Sequence, residues 1–308
     1  MHQANCVKAG RYAEPEDAGS HRYSFYRAFV PCIIVKSMNL NNRSCIVTGG
    51  TRGIGRAIAK MFLAHGARVV LCGRSEDAVR EAVAELASEN PGKVNGKVAD
   101  VRVQEQVTEL FRFAEAFLGG LDVLVNNAGI NVFHDPLSMP EEEWKRCFAV
   151  DLEGVWHCTR AVLPGMRAHK KGTVVNIASV HSFAIIPNTF PYPVAKHGLL
   201  GLTRSLGIQY AADGVRVNAI CPGWVRTPLV ERQIPDQMKT RNMTEEQVKR
   251  DVLLAAQPTK QFVTIEQVAS LALYLASDAA ANITGITTFG AMFSAAAGIV
   301  VLRSLGLM

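Results

Sequence analysis

The sequence predicts a single-domain α/β fold built on a doubly wound parallel sheet. Three observations predict it: short apolar runs alternate with amphipathic segments, a glycine-rich turn follows the first run, and the composition suits one large core. The chain has 308 residues, of which 48% are hydrophobic and 19% charged. A chain of this size can bury a large core in one domain.

The first half of the chain contains three strand–helix units. Short apolar runs predict buried strands at 45–47 and 69–72, and a third strand at 97–99 ends at Asp100. Ile58, Met61 and Phe62 recur at helical spacing within residues 56–65. The same spacing of apolar residues, with charges between them, predicts helices at 76–88 and 107–117.

The second half continues the alternation. Apolar runs predict strands at 121–125, 173–177 and 215–220, and helical spacing predicts helices at 141–163 and 192–212. Repeated strand–helix units favour parallel strands with helices on both faces of the sheet. Because such sheets bind ligands at the carboxyl ends of their strands, the motifs at those ends are candidate site residues.

A glycine-rich segment joins the first strand to the first helix. Residues 45–55 read CIVTGGTRGIG, which gives the spacing G-x-x-x-G-x-G at Gly49, Gly53 and Gly55. Glycines let the backbone approach a pyrophosphate closely, and the helix N-terminus offers free N–H groups to it. The segment therefore predicts a dinucleotide site, with a tight turn that binds no ligand as the alternative.

Tyr192 and Lys196 stand one helical turn apart, and Ser179 lies thirteen residues before Tyr192. A phenol is a poor base at neutral pH, but a neighbouring ammonium lowers its pKa. A serine hydroxyl can hold the substrate oxygen that gains or loses the proton. The trio predicts proton transfer at an oxygen, with an exposed Tyr and Lys on one helix face as the structural alternative.

With these motifs, residues 39–285 resemble the short-chain dehydrogenases/reductases. Residues 126–129 (NNAG) and 221–227 (CPGWVRT) are similar to two further motifs of that family. The resemblance implies a Rossmann-like fold, homodimers or homotetramers, and hydride transfer between a nicotinamide cofactor and a carbonyl/alcohol pair. It implies that Ser179, Tyr192 and Lys196 are catalytic. The cofactor residues that it implies are Thr48, Gly49, Thr51, Arg52, Gly53, Ile54, Gly55, Asn127, Ala128, Gly129, Tyr192, Lys196, Pro222, Gly223, Val225 and Thr227.

Charge at the end of the second strand favours NADP. NAD sites commonly place a carboxylate there, whereas this chain has Gly73 followed by Arg74. Arg74, helped by Arg52, would pair with a 2′-phosphate. NAD remains the alternative cofactor. Asp100 and Val101 resemble the family's adenine contact, although an Asp at a strand end also caps the next turn.

Asp151 is the one departure from the family's catalytic pattern, which has an Asn at this helix position. By resemblance, that Asn holds a water in the proton relay. Asp151 is nearly isosteric and supports the same relay as an acceptor, but it donates only when protonated. We expect its carboxylate to form an ion pair with Lys196 and to alter the pKa of Tyr192.

The substrate is less well defined by the sequence. His181 and Gln233, together with residues 257–264 (QPTKQFVT), resemble the 3-hydroxybutyrate dehydrogenase branch of the family, and the 3-oxoacyl-ACP reductase-like branch is also similar. Thr189 and Asn131 stand where the first branch has Lys and Gln. Substrate contacts are therefore expected from Ser179, His181, Tyr192 and Gln233. The substrate classes are a sugar, a polyol, a hydroxy acid or a 3-oxoacyl thioester.

Composition argues against several other functions. Net charge is +6 with scattered Lys and Arg, so nucleic acid is not expected as a partner. The seven cysteines include no C-x-x-C pair, so we expect no metal site, reduced thiols and a cytoplasmic protein. A catalytically silent cofactor-binding protein on the same fold, with Asp151 responsible for the silence, is the alternative function.

Both ends of the chain lie outside the predicted domain. We expect residues 1–38 to be a poorly ordered extension, because they show neither a helical nor a strand period. Residues 286–308 form an apolar tail, and residues 279–302 carry no charge over 24 positions. A seventh strand followed by a tail at a subunit interface is favoured, and a membrane contact is the alternative.

Overall fold

The computed structural model describes residues 38–185, 188–232, 234–255, 257 and 259–290. Their core is a seven-stranded, all-parallel sheet with the strand order β3-β2-β1-β4-β5-β6-β7. This confirms the predicted doubly wound α/β fold. The strands are β1 (Ser44–Val47), β2 (Arg68–Gly73), β3 (Val94–Val98), β4 (Val123–Asn126), β5 (Gly172–Ile177), β6 (Val215–Pro222) and β7 (Thr287–Gly290).

Helices cover both faces of the sheet, and each face has its own apolar core. Buried side chains of α1 (Gly53–Ala64), α2 (Glu76–Glu89) and α10 (Ile265–Ala276) pack on one face. Those of α3 (Gln104–Leu118), α5 (Gly154–Ala168) and α6 (Tyr192–Gln209) pack on the other. The central strands are buried on both sides, which explains why they appear in the sequence as continuous apolar runs.

Three boundaries in the first half differ from the prediction, among them the start of α3, which is Gln104 rather than residue 107. Helix α1 begins at Gly53 rather than at residue 56, so the last glycines of the loop belong to its first turn. Strand β3 is Val94–Val98, not 97–99. It lies at the sheet edge and pairs with β2 alone. An edge strand tolerates polar residues such as the half-exposed Asn95 and Lys97. The strand therefore does not begin with an apolar run in the sequence.

The predicted helix at 141–163 is interrupted by a wider turn. Helix α4 (Glu141–Phe148) continues into a π-helical segment, Ala149–Glu153, and then into α5. Single π turns are frequent at functional sites because they re-aim side chains. Asp151 lies in the middle of this segment and is buried.

The chain between β6 and β7 consists mainly of short helices. These are α7 (Pro228–Glu231), α8 (Ile234–Arg241) and α9 (Glu245–Gln247), with a π-helical segment at Val248–Leu253. They enclose a small apolar cluster of their own, which includes Val230, Ile234 and Val248. This subdomain lies beside the carboxyl end of β6.

The expected seventh strand is present at Thr287–Gly290 and pairs with β6. The expectations for residues 1–37 and for residues 291–308 fall outside the described residues. None of the helices in the described segments combines the length and apolarity that a bilayer crossing requires.

Candidate active site

A cleft of about 200 Å³ opens at the carboxyl ends of the central strands. Ile54 of α1 and Gly129, which follows β4, line it on one side. Ser179 follows β5, and Gly223 follows β6, on the other side. Four motifs that are far apart in sequence therefore meet at one edge of the sheet, as the parallel topology predicts.

The start of α1 has the geometry that an anionic group requires. Arg52 is its N-cap residue, and the Arg52 side chain makes no capping hydrogen bond. Gly53 has φ +54°, and the nearest atom to a Cβ there would be Thr227 Cγ2 at 3.8 Å. The space beside the first turn of the helix is therefore open, and the first N–H groups of a helix lack partners within it, which fits a pyrophosphate.

The rest of the glycine loop is held against the segment after β4. Asn127 Nδ2 donates to the carbonyl oxygens of Thr48 and Gly49, both at 3.0 Å. Thr48 Oγ1 accepts from the backbone N–H of Asn127 at 3.0 Å and of Ala128 at 3.1 Å. A Cβ on Gly55 would lie 2.4 Å from Asn127 Nδ2. Thr48, Gly55 and Asn127 therefore shape the loop through contacts within the protein.

The structure brings the predicted catalytic trio together. Tyr192 is the first residue of α6, with Pro193 in its first turn, a position that Pro favours. Ser179 Oγ accepts from the backbone N–H of His181 at 3.1 Å, and the Ser179 side chain lies close enough to Tyr192 to favour its phenolate form. Lys196 Nζ lies 5.6 Å from the Tyr192 ring centroid. Hydroxyl, phenol and ammonium thus lie together in one row that lines the cleft.

Lys196 is paired with Asp151, as expected. Lys196 Nζ lies 3.0 Å from Asp151 Oδ1, and the two side chains are 5% and 0% exposed. Lys196 Nζ also donates to the Ile177 carbonyl at 3.3 Å, and the Ile130 N–H donates to Asp151 Oδ1 at 3.3 Å. Asp151 Oδ2 is buried and has no hydrogen-bond partner among the described residues.

This ion pair changes the electrostatics that the sequence predicted. Burial raises the pKa of Tyr192, the Lys196 ammonium opposes that rise, and the Asp151 carboxylate adds to it. The sequence analysis expected Lys196 to leave Tyr192 with a lowered pKa. Lys196 does act in the expected direction, but the net pKa is raised, because burial disfavours a phenolate and the carboxylate opposes the ammonium.

Burial and the neighbouring charge also shift the pKa values of Asp151 and Lys196 themselves. Burial raises the pKa of Asp151 against the opposing charge of Lys196. Burial alone would lower the pKa of Lys196, but the Asp151 carboxylate reverses this and raises it. Lys196 is therefore a charged ammonium throughout the neutral range.

A buried polar network that the sequence analysis missed lies beneath the site. Asn126 Nδ2 donates to Thr159 Oγ1 at 3.0 Å and to Asn176 Oδ1 at 2.9 Å. Asn176 Nδ2 in turn donates to Thr203 Oγ1 at 2.9 Å. The network links β4 and β5 to α5 and α6, so it fixes the helix that carries Tyr192 and Lys196. Polar residues inside apolar strands were the available signal.

Two cations lie near the carboxyl ends of β1 and β2, Arg52 in the glycine loop and Arg74 after β2, and the charge of Arg74 helps to lower the pKa of Asp100. Arg52 and Arg74 are both exposed, and neither forms an ion pair within the described part of the chain. A Cβ on Gly73 would lie 2.7 Å from Thr51 Cγ2. A side chain at residue 73 would therefore require the Thr51 side chain to move.

Asp100, predicted as an adenine contact with a turn cap as the alternative, caps the turn after β3. Asp100 Oδ1 accepts from the Arg102 backbone N–H at 3.0 Å and also binds the Arg102 guanidinium. This is the turn cap that was left open as the alternative. The Val101 side chain is buried in the core and would lie 2.7 Å from a Cβ on Gly154. Any contact with a cofactor at Val101 would therefore involve its backbone.

The segment after β6 forms the opposite wall of the cleft. Pro222, Gly223, Val225 and Thr227 all line it. Thr227 Oγ1 accepts from the Val230 N–H at 3.4 Å and caps α7. This capping ties the wall to the short helices that follow.

The substrate end of the cleft is largely apolar. Phe133 packs edge-on against Tyr192 with ring centroids 5.8 Å apart, and Trp224 and Val230 also line the space. His181 packs edge-on against Tyr192 at 5.9 Å. Burial lowers the pKa of His181, so the ring is neutral near pH 7. Phe133 and Trp224 were not predicted, since an isolated aromatic residue in a loop carries no spacing signal.

The remaining substrate residues differ in their positions. Asn131 lines the cleft, whereas Thr189 is buried. Gln233 lies outside the described residues.

Within the described residues, no group of three His, Cys, Asp or Glu side chains is placed to bind a metal ion. The five cysteines that are described are free and buried: Cys45, Cys72, Cys147, Cys158 and Cys221.

Comparison with known proteins identifies relatives over most of the chain. Residues 49–289 match a family model described as enoyl-(acyl carrier protein) reductase. A D-beta-hydroxybutyrate dehydrogenase of Rhizobium meliloti is 45% identical over 79% of this chain and 95% of its own length. A D-beta-hydroxybutyrate dehydrogenase of Cupriavidus necator is 38% identical over 80% of this chain and 95% of its own length.

A solved structure gives the same picture. An actinorhodin polyketide ketoreductase crystallised with NADPH aligns with a TM-score of 0.76 and 32% identity, over 80% of this chain and 95% of that one. The fold, the order of the motifs and these matches all indicate the same family. The chain belongs to the short-chain dehydrogenase/reductase family and is an oxidoreductase that transfers hydride between a nicotinamide cofactor and a carbonyl/alcohol pair.

Proposed function

We propose that the protein is an NADP-preferring carbonyl reductase/alcohol dehydrogenase that acts on an uncharged substrate. The observation that carries the proposal is the row of Ser179, Tyr192 and Lys196 in the cleft that Ile54 of the glycine loop also lines. This row supplies a proton donor, a group that positions the carbonyl oxygen, and a fixed positive charge in one site. We also propose that it functions as a homodimer or homotetramer, as the family resemblance implies.

The proposed roles follow from the contacts. Ser179 holds the substrate oxygen, and Tyr192 gives it a proton during reduction or removes one during oxidation. Lys196 stabilises the Tyr192 phenolate and binds the nicotinamide ribose, and Asp151 holds Lys196 in place. The cofactor supplies the hydride when it is bound. Loss of Tyr192 would remove proton transfer without removing the cofactor site.

NADP is favoured by the charges at the end of β2. Arg52 and Arg74 form no ion pair within the described residues, and a carboxylate side chain at residue 73 would have to displace the Thr51 side chain. A 2′-phosphate would bring two negative charges to these guanidinium groups, which bind phosphate well. The ribose of NAD offers no comparable partner to the two arginines.

An uncharged substrate is favoured by the lining of the cleft. Among the described residues that line it, the charged side chains are Asp151 and Lys196, which pair with each other. His181 is neutral near pH 7 because burial lowers its pKa. A free carboxylate would therefore enter an apolar space without a cation to receive it. Ketones, esters and 3-oxoacyl thioesters fit this lining better.

The names of the two dehydrogenase relatives support a second candidate, a small hydroxy acid. His181 favours it as well, because a neutral imidazole still donates one hydrogen bond to a carboxylate. This candidate differs from the first only in the charge of the group beside the carbonyl. The two can therefore be separated with a matched pair of substrates.

The experiment is a comparison of acetoacetate with its ethyl ester, with NADPH and NADH as donors, followed by a panel of ketoses and 3-oxoacyl thioesters. We expect the ester to exceed acetoacetate in kcat/KM by about tenfold or more, since a buried unpaired charge is costly. Preference for acetoacetate would replace the first candidate with the second. Cofactor binding without turnover of any compound would favour the silent binder.

A further inference from the structure

We propose that Asp151 is a positioning residue that biases the site toward carbonyl reduction: its carboxylate neutralises Lys196, so that Tyr192 stays protonated at neutral pH and serves as a proton donor. The proposal rests on the proposed function of this site. It concerns the residue at which the chain departs from its family's pattern.

The geometry of the pair carries the inference. Asp151 Oδ1 lies 3.0 Å from Lys196 Nζ, and both side chains are almost fully buried. A Cβ on Gly129 would lie 2.8 Å from Asp151 Oδ1 and 3.5 Å from Lys196 Nζ. The backbone at Gly129 thus closes over the pair and keeps water away from that side. Each charge of a pair screened this poorly acts strongly on a neighbouring phenol, so removal of one charge should change its pKa.

Few other charges act on Tyr192. His181 faces its ring from the short helix after β5 and is neutral near pH 7. Cys147 approaches from α4 as a buried thiol, and burial raises its pKa to about 12. Ser179 contributes an uncharged hydroxyl. Beside burial, the charges of Asp151 and Lys196 are therefore the main influences on the phenol.

The chemical consequence is a preference for one direction. In reduction, a hydride from a reduced nicotinamide forms a C–H bond while the carbonyl π bond breaks. The oxygen takes the Tyr192 proton, which leaves a phenolate beside the Lys196 ammonium. Oxidation requires that phenolate at the start. A site that disfavours the phenolate in its resting state therefore starts in the form that reduction requires and reaches the form for oxidation only at higher pH.

The first test is an ultraviolet titration of Tyr192 in the full chain without substrate. Phenolate absorbance is recorded against pH for the wild type and Asp151→Asn, and the curve of each with Tyr192→Phe added is subtracted, which isolates one of the six tyrosines. We expect Asp151→Asn to lower the Tyr192 midpoint by about one pH unit or more, because Lys196 then acts unopposed. Glu153→Gln, which removes an exposed carboxylate from the same π-helical segment, is the matched control and should leave the midpoint unchanged.

Equal midpoints in the wild type and Asp151→Asn, or an equal shift in Glu153→Gln, would overturn the proposal. Should Asp151→Asn not fold, the wild-type curve still decides, because a Tyr192 midpoint below about 8 contradicts a protonated tyrosine at neutral pH.

The second test is the pH profile of kcat/KM in both directions. Asp151→Asn should move the falling limb of reduction and the rising limb of oxidation to lower pH by the same amount. If Asp151→Asn still reduces carbonyl compounds and the limbs of its pH profiles do not shift, the inference about Asp151 is overturned and the proposed function stands. A shifted titration without reduction of any carbonyl compound would instead count against the proposed function alone.

Discussion

Two regions at the carboxyl edge of the sheet contain positive charges in opposite settings. At the catalytic end, Lys196 is buried and paired with Asp151 at 3.0 Å. At the β2 end, Arg52 and Arg74 are exposed and form no ion pair within the described residues. The charge of Lys196 is already balanced by the Asp151 carboxylate, whereas Arg52 and Arg74 remain available to a ligand.

The comparison teaches that burial decides what a charge can do. A buried cation needs its counter-ion for stability, so its influence on Tyr192 is reduced by the carboxylate that accompanies it. An exposed cation contributes little to folding and remains free to bind a phosphate. We therefore expect substitutions at the catalytic end to change both stability and chemistry, and those at the β2 end to change ligand choice alone.

The largest effect on stability is expected from Lys196→Met. It leaves the Asp151 carboxylate buried without its counter-ion, which costs about 3–5 kcal/mol in the free energy of unfolding. Denaturant unfolding with the double variant Asp151→Asn/Lys196→Met as control measures it. The double variant should recover much of the loss, and equal stability of the two variants would show that the pair does not act as a unit.

The loss in Lys196→Met should also depend on pH. Burial already raises the pKa of Asp151, and removal of Lys196 raises it further. The folded state then binds a proton that the unfolded state releases, so stability falls as pH rises above the ordinary pKa of an Asp. Unfolding curves at several values between pH 4 and about 8 check the sign. A loss that shrinks with rising pH would contradict this assignment.

An effect of intermediate size is expected from Arg74→Ala. Loss of one charge-assisted contact to a 2′-phosphate should weaken NADPH binding by about tenfold or more. NADH binding and the unfolding free energy should not change. Cofactor titration by fluorescence measures both affinities, with Arg80→Ala as a control for charge, since Arg80 is exposed and pairs with Asp77. Parallel weakening of NADPH and NADH would refute the NADP preference.

The smallest effect is expected from Arg102→Ala. Its guanidinium pairs with Asp100 near the surface, with the two side chains 37% and 15% exposed. Such pairs contribute less than about 1 kcal/mol. Thermal unfolding should therefore change by at most a few degrees, well below the change in Lys196→Met. A loss as large as that of the buried pair would break the distinction between the two settings.

The parts of the site that depend on spacing were predictable from the sequence. The glycine loop and the Ser179–Tyr192–Lys196 trio follow from residue types at fixed intervals, whereas the Asp151–Lys196 ion pair was expected from the resemblance to the family's pattern. The net pKa shift of Tyr192 was not predictable, because it depends on burial and on how far the carboxylate offsets the ammonium. The direction of an electrostatic effect requires the three-dimensional arrangement.

Packing explains the other differences between sequence and structure. Strand β3 begins earlier than predicted because an edge strand tolerates polar residues such as Asn95. The Val101 side chain enters the core against α5, which local sequence does not reveal. The network through Asn126 and Asn176 joins residues that are 50 positions apart, so it is visible only once the strands are paired.

The most direct test of the central claim is reduction of an uncharged ketone ester by NADPH with the wild type and Tyr192→Phe. The account predicts that Tyr192→Phe loses about 10²–10⁴-fold in kcat, the usual contribution of a positioned proton donor, and retains NADPH affinity. Unchanged kcat in Tyr192→Phe would contradict the account, because the proton would then come from a group other than Tyr192.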